Sequence, residues 1–140
     1  MALEIWYDQE PDNDLGPGDS PVIVRTAAEL DIFLDRLLRD TAEHLVPPVI
    51  QAAIAGHPEC GVMEVGIGQS QGFVNYLAAD GGITQGDPSR IGAATYDYMG
   101  SATEVDASVE IPVGLVRQGL REYLEREGAK PVSLPWRPGE

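Results

Sequence analysis

Gly61–Ala78, GVMEVGIGQSQGFVNYLA, is the stretch whose reading decides the fold. Met63, Val65 and Ile67 alternate with Val62, Glu64 and Gly66. A polar, glycine-flanked pentapeptide, Gly68-Gln69-Ser70-Gln71-Gly72, separates them from a second run, Phe73-Val74-Asn75-Tyr76-Leu77-Ala78. Apolar alternation at period two, broken by a short turn and then resumed, predicts two antiparallel strands and their connection. The same glycines, Gly66-x-Gly68-x-x-x-Gly72, superficially resemble a phosphate-binding loop. Such a loop needs a helix N-terminus after the glycines, whereas β-formers follow here, no Lys is near, and the spacing misses G-x-G-x-x-G by one. They are read as turn glycines.

Working outward, Leu3–Tyr7 and Pro21–Arg25 read as short strands flanking a loop, Asp8 to Ser20, rich in Asp, Asn, Gly and Pro. Glu10, Asp12 and Asp14 alternate in that loop, but it does not fit an EF-hand. Counting from Glu10, Gly16 falls one place late and Pro21 occupies the position of the final Glu. Thr26-Ala27-Ala28-Glu29 is a capping box. The helix it opens runs to about Thr41, with Leu30, Phe33, Leu34, Leu37 and Leu38 on one stripe and Asp35–Arg39 as an i,i+4 pair. Val49–Ala55 reads as a strand after Pro47-Pro48. Asp80–Gly92 reads as a long polar loop and Ala93–Met99 as a further strand, with Tyr96 and Tyr98 on one face and Asp97 and Met99 on the other.

Pro112 suits the first turn of a second helix and Gly128 its C-terminal cap. Val113, Val116, Leu120, Tyr123 and Leu124 form its apolar stripe, Glu122 and Arg126 pair at i,i+4, and Gly119 implies close packing on a neighbour. Pro131–Trp136 returns as an extended edge segment. This order predicts one α+β domain, residues 1–140: a mainly antiparallel sheet with two amphipathic helices packed on one face.

Charge is the dominant compositional feature. The 140 residues carry a net charge of −14. The first twenty contain Glu4, Asp8, Glu10, Asp12, Asp14 and Asp19 with no Lys or Arg, and Arg90 is the only base between Asp40 and Glu110. The acidic excess thus belongs to strands and loops. Such a field repels nucleic acid and anionic membranes and steers in a basic protein, or else serves solubility. The lone Cys60 excludes an internal disulfide. The N-terminus lacks the pattern of a signal peptide, and no apolar run approaches a membrane span. A cytoplasmic protein is expected.

Catalytic and cofactor signatures are sparse. His57-Pro58-Glu59-Cys60 clusters a His, a Glu and a Cys, but a zinc deaminase would need a P-C-x-x-C that this chain lacks. A small-ligand site or a hydrolase near His57, Cys60 and Glu64 is the alternative reading. Otherwise no catalytic residue, metal or cofactor is expected. Glu64 stands alone in an apolar strand, which places it on the solvent face unless it is paired. Gly66 beside it would let a partner's backbone approach closely.

The C-terminal third carries a resemblance. Glu110-Ile111-Pro112-Val113, then Gly119-Leu120-Arg121-Glu122-Tyr123-Leu124, lead to Gly128-Ala129-Lys130-Pro131 and Trp136. With Gly72-Phe73-Val74-x-Tyr76 and Tyr96-x-Tyr98-Met99-Gly100, this ending is similar to the first immunity-protein family of bacterial polymorphic toxin systems. The resemblance implies a small α+β protein, without catalytic residues, that binds and neutralises a cognate toxin, often a nucleic-acid deaminase. On that implication the toxin is basic, and the contacts are expected among Asp8, Glu10, Asp12, Asp14, Glu64, Tyr76, Tyr96, Asp97 and Tyr98.

Overall fold

The central hairpin forms as its alternation predicts. In the computed structural model, which describes residues 2–6, 21–43, 46–57, 59–98 and 101–137, β4 (Val62–Ile67) and β5 (Gln71–Leu77) pair antiparallel, with Met63 opposite Tyr76 and Gly66 opposite Phe73. Gly68 N–H closes the turn on the Gln71 carbonyl at 2.9 Å. β1 (Leu3–Trp6), β2 (Val22–Val24) and β3 (Pro48–Ile54) extend the sheet on one side, in the order β2-β1-β3-β4-β5. A two-residue strand, β6 (Gly82–Ile83), pairs with β5 on the other. It lies inside the segment expected to be a loop. That segment is also anchored by Thr84, fully buried, whose hydroxyl donates to the Val109 carbonyl and accepts from Val74 N–H.

Both helices pack on one face, as expected. α1 (Ala27–Asp40) starts at Thr26, whose hydroxyl accepts from Glu29 N–H at 3.1 Å while the Glu29 carboxylate accepts from Arg25 N–H at 2.8 Å. Leu30, Leu34 and Leu37 are buried by it; full burial stabilises by about 1.5–3 kcal/mol per side chain. α2 (Val113–Glu125) buries Val116, Gly119, Leu120, Tyr123 and Leu124. Leu134 lies against Gly119 so closely that a methyl there would meet its side chain at 2.6 Å. These residues share a core with Leu3, Ile5, Ile50, Ala52, Met63, Val65, Ile67, Val74 and Tyr76. In place of the expected Asp35–Arg39 pair, Asp35 forms a bridge between the helices. Asp35 meets Arg117 at 2.8 Å, because the two helices run side by side and the guanidinium also reaches Asp31 at 3.6 Å. Glu122 and Arg126 do pair, at 3.3 Å.

The other face departs from the sequence reading. β7 (Ala93–Tyr98) is followed by β8 (Ser101–Asp106), a strand the sequence reading did not anticipate. The two form a hairpin attached to the start of β3 by a short parallel ladder, Pro48–Asp97 and Val49–Tyr98. The hairpin covers part of the face opposite the helices and closes a second core of Val49, Phe73, Tyr96 and Val109. A short strand, β9 (Ile111–Pro112), pairs with the start of β5 before α2. The expected terminal strand, Pro131–Trp136, reduces to a single bridge between Trp136 and Thr84. Pro131 and Pro135 have no N–H to give a ladder.

Candidate partner-binding face

Strand register aligns one polar row across the face away from the helices. Trp6 is opposite Gln51, Gln51 opposite Glu64, Glu64 opposite Asn75, and Asn75 opposite Ile83. β3, β4 and β5 each contribute one polar side chain to this row. On one side of it lie Val49, Gly66 and Phe73, beneath the β7–β8 hairpin. The Tyr96 ring meets Phe73 edge-on, centroids 4.9 Å apart, above Gly66, where any Cβ would overlap both rings. Gly66 therefore admits the protein's own aromatics, not a partner's backbone. On the other side of the row are Glu4, Ala53 and Val62, all half-buried, with Ile23 and Leu77 exposed. The hairpin does not cover this half.

Tyr98 marks the border between covered and open halves. Its hydroxyl lies 3.2 Å from Gln51 Oε1. Burial, together with the nearby Glu64 carboxylate, pushes its phenol up to about 12. Asn75 Nδ2 donates to Glu64 Oε1 at 3.2 Å. Glu64 is thus on the solvent face, as the alternation implied, but it sits within a polar network. Asp97 is on the opposite side of β7 from Tyr98, with Glu104 and Asp106 on β8 facing the same way by alternation.

Charge is segregated by element. Among the described residues, none of the nine strands contains Lys or Arg, whereas they hold Glu4, Glu64, Asp97, Glu104 and Asp106. The bases lie elsewhere and are mostly engaged. Arg36 and Arg39 approach Asp40, Arg117 and Arg121 bind Asp31 and Asp35, Arg126 binds Glu122, Arg90 binds Glu110 at 3.2 Å, and Arg137 approaches Asp106. The Lys130 ammonium donates to the Asp80 carbonyl at 2.7 Å and lies over the Trp136 ring. An open recess beside α2 contains Arg117 and Arg121, but their charge is already met by Asp31 and Asp35.

Of the residues expected at a contact, the fold places Glu64 and Tyr98 together and Asp97 close by on the hairpin. Tyr76 and Tyr96 are corrections to that expectation. Tyr76 shares the helix face with Met63, is 6% exposed, and donates its hydroxyl to the Gly128 carbonyl. Tyr96 is 1% exposed and donates to Glu110 Oε2 at 2.6 Å. Both are core residues, because alternation turns them inward towards the two apolar clusters. Asp8, Glu10, Asp12 and Asp14 lie outside the described residues. Gln51, Asn75, Glu4 and Trp6 were not singled out as contacts. For Gln51 and Asn75 the signal was a polar residue within an apolar stretch of β3 and of β5, and it needs the register to become a row.

The alternative catalytic grouping is not assembled. His57 Nδ1 pairs with Glu59 at 2.9 Å, Cys60 packs against the core on the helix side beside Gly128, and Glu64 points to the other face. No group of three or more His, Cys, Asp or Glu suited to a metal occurs among the described residues.

The outer sheet face thus presents a polar row on strands whose charged side chains are all acidic among the described residues. The chain belongs to a family of immunity proteins: the family model described as Immunity protein Imm1 matches residues 18–138. Membership supports a toxin-neutralising role, exercised by binding a cognate toxin. A search of the curated proteins found no match.

Proposed function

We propose that this protein neutralises a toxin of the nucleic-acid deaminase type, in the cytoplasm, by laying its acidic sheet side over the toxin's basic substrate cleft. One observation carries this reading: all five acidic residues of the described strands lie on strands that contain no Lys or Arg, while the two helices set four arginines against six carboxylates. An enzyme that acts on nucleic acid needs cations along its substrate path, and a fixed array of carboxylates competes for them. The segment between β1 and β2 adds Asp8, Glu10, Asp12 and Asp14 to the same balance. No catalytic group is required, because occlusion is sufficient.

Complementary charge raises association rates by about 10- to 1000-fold at low salt. Stopped-flow mixing with a cognate deaminase-type toxin domain should therefore show association slowing at least about tenfold between 50 and 500 mM salt, with dissociation little changed. Deamination of a single-stranded substrate by that domain should stop at one equivalent of this protein. Association indifferent to ionic strength would remove the electrostatic reading.

A further inference from the structure

Six acidic side chains among the described residues are half-buried: Glu4, Asp31, Glu64, Asp97, Glu110 and Glu122. Asp31, Glu110 and Glu122 each have an arginine within 3.3 Å. Asp97 is engaged within the fold. Glu4 and Glu64 have no cationic partner among the described residues; Glu4 lies on the uncovered half-face and Glu64 on the polar row that borders it. We infer that these two carboxylates are the docking points for two cationic side chains of the toxin, with Glu64 the principal one; this rests on the toxin-binding reading above.

The chemistry around Glu64 supports a cation rather than a neutral group. A carboxylate offers about four acceptor positions. The nearby donors are neutral: the Asn75 amide, and a Tyr98 hydroxyl that donates to the neighbouring Gln51. These contacts fix the carboxylate's orientation and leave acceptor positions open. A partly desolvated anion held in place in this way gains most from a planar guanidinium, which can bind it in a bidentate fashion. Trp6 and Tyr98 flank the row, and Leu77 and Ile23 supply exposed apolar surface beyond it. Such a rim excludes water from a docked ion pair, the setting in which a single contact dominates affinity.

Register also fixes the spacing the partner must match. Glu4 and Glu64 are two strands apart and offset by two residues along β3. With strands about 4.8 Å apart and about 3.3 Å per residue, the two Cα atoms are separated by roughly 12 Å. The partner is therefore a basic surface presenting two cations at about that interval. A second copy of this chain is a poor occupant, since its own strands bring no cation.

The test is a binding series against the cognate toxin domain, at one salt concentration. Glu64→Gln keeps the shape and removes the charge; Glu64→Lys and Glu4→Lys reverse it. Glu43→Lys and Glu125→Lys, both exposed on the helical side, make the same net-charge change elsewhere. Expected are a loss of about 100-fold or more for Glu64→Lys, about tenfold for Glu64→Gln, seen chiefly in dissociation, and about threefold or less for the helical-side variants. Thermal melts confirm that each variant folds. Equal losses for all the lysine variants would mean long-range attraction alone and would overturn docking at Glu64. Full-strength binding by the Glu64 and Glu4 variants, with neutralisation intact, would overturn the docking points and leave the toxin reading standing. Failure of the unaltered protein to bind would remove both.

Discussion

Tyr96 shows how much one side chain holds together on the hairpin side. Its ring fills the space left by Gly66 and meets the edge of Phe73, while its hydroxyl donates to Glu110, which in turn binds Arg90. Burial and the Glu110 carboxylate both raise its phenol pKa, so it stays protonated and remains a donor. Replacing Tyr96 by Phe keeps the packing and leaves a largely buried carboxylate one hydrogen bond short. A loss of about 2 kcal/mol is expected, seen as a lower urea midpoint with an unchanged slope. Its burial could be anticipated only in part. Alternation put Tyr96 and Tyr98 on one side of β7, but nothing local said that this side faced a second core.

At the scale of elements, α2 and the segment after it act as one unit. Leu134 packs into the gap left by Gly119, and the Glu122 carboxylate accepts from the backbone N–H groups of Val132 and Ser133 as well as from Arg126. Beyond that, Gln85 N–H donates to the Pro135 carbonyl and Arg137 N–H to the Ile83 carbonyl, each at 2.8 Å. The C-terminal segment thereby ties the helix layer to β6 without being a strand. Glu122→Ala removes the acceptor for three donors, one of them cationic, and should cost about 2 kcal/mol. Hydrogen exchange should quicken at Val132, Ser133 and Gln85 while the β4–β5 amides stay protected. Retained protection at Val132 and Ser133 would show that Leu134 packing alone holds the segment.

For the whole molecule, alkaline pH should be a weak point. Burial raises the phenols of Tyr76, Tyr96, Tyr98 and Tyr123 above the ordinary value near 10. With the folded-state pKa above the unfolded one, the native state holds more protons, so this contribution is complete below about pH 10 and is lost as pH rises. Denaturant midpoints should fall from about pH 10 to 12, and Tyr98→Phe should make that fall shallower, its phenol being the one that reaches about 12. A midpoint that stays flat across this range would contradict the linkage. At this scale, too, sequence and tertiary structure divide their contributions. Period-two alternation, the Thr26–Glu29 cap, the leucine stripe and the Pro112 and Gly128 boundaries are local signals. They determined the central hairpin, both helices and the α+β class, and composition alone set the net acidity. The sequence between Asp80 and Ile111 was read less well, because β6 and β8 are weak β-formers held by their partners: β6 by β5, and β8 by β7, which reaches β3 across more than forty residues. Alternation could say that Glu64 pointed to one side of its strand. Only cross-strand register could bring Gln51, Glu64 and Asn75 into one row, turn Tyr76 towards the helices, and cover half of the outer face with the hairpin. Those outcomes depend on which strands meet and at what offset, and that is decided by burial of the whole sheet.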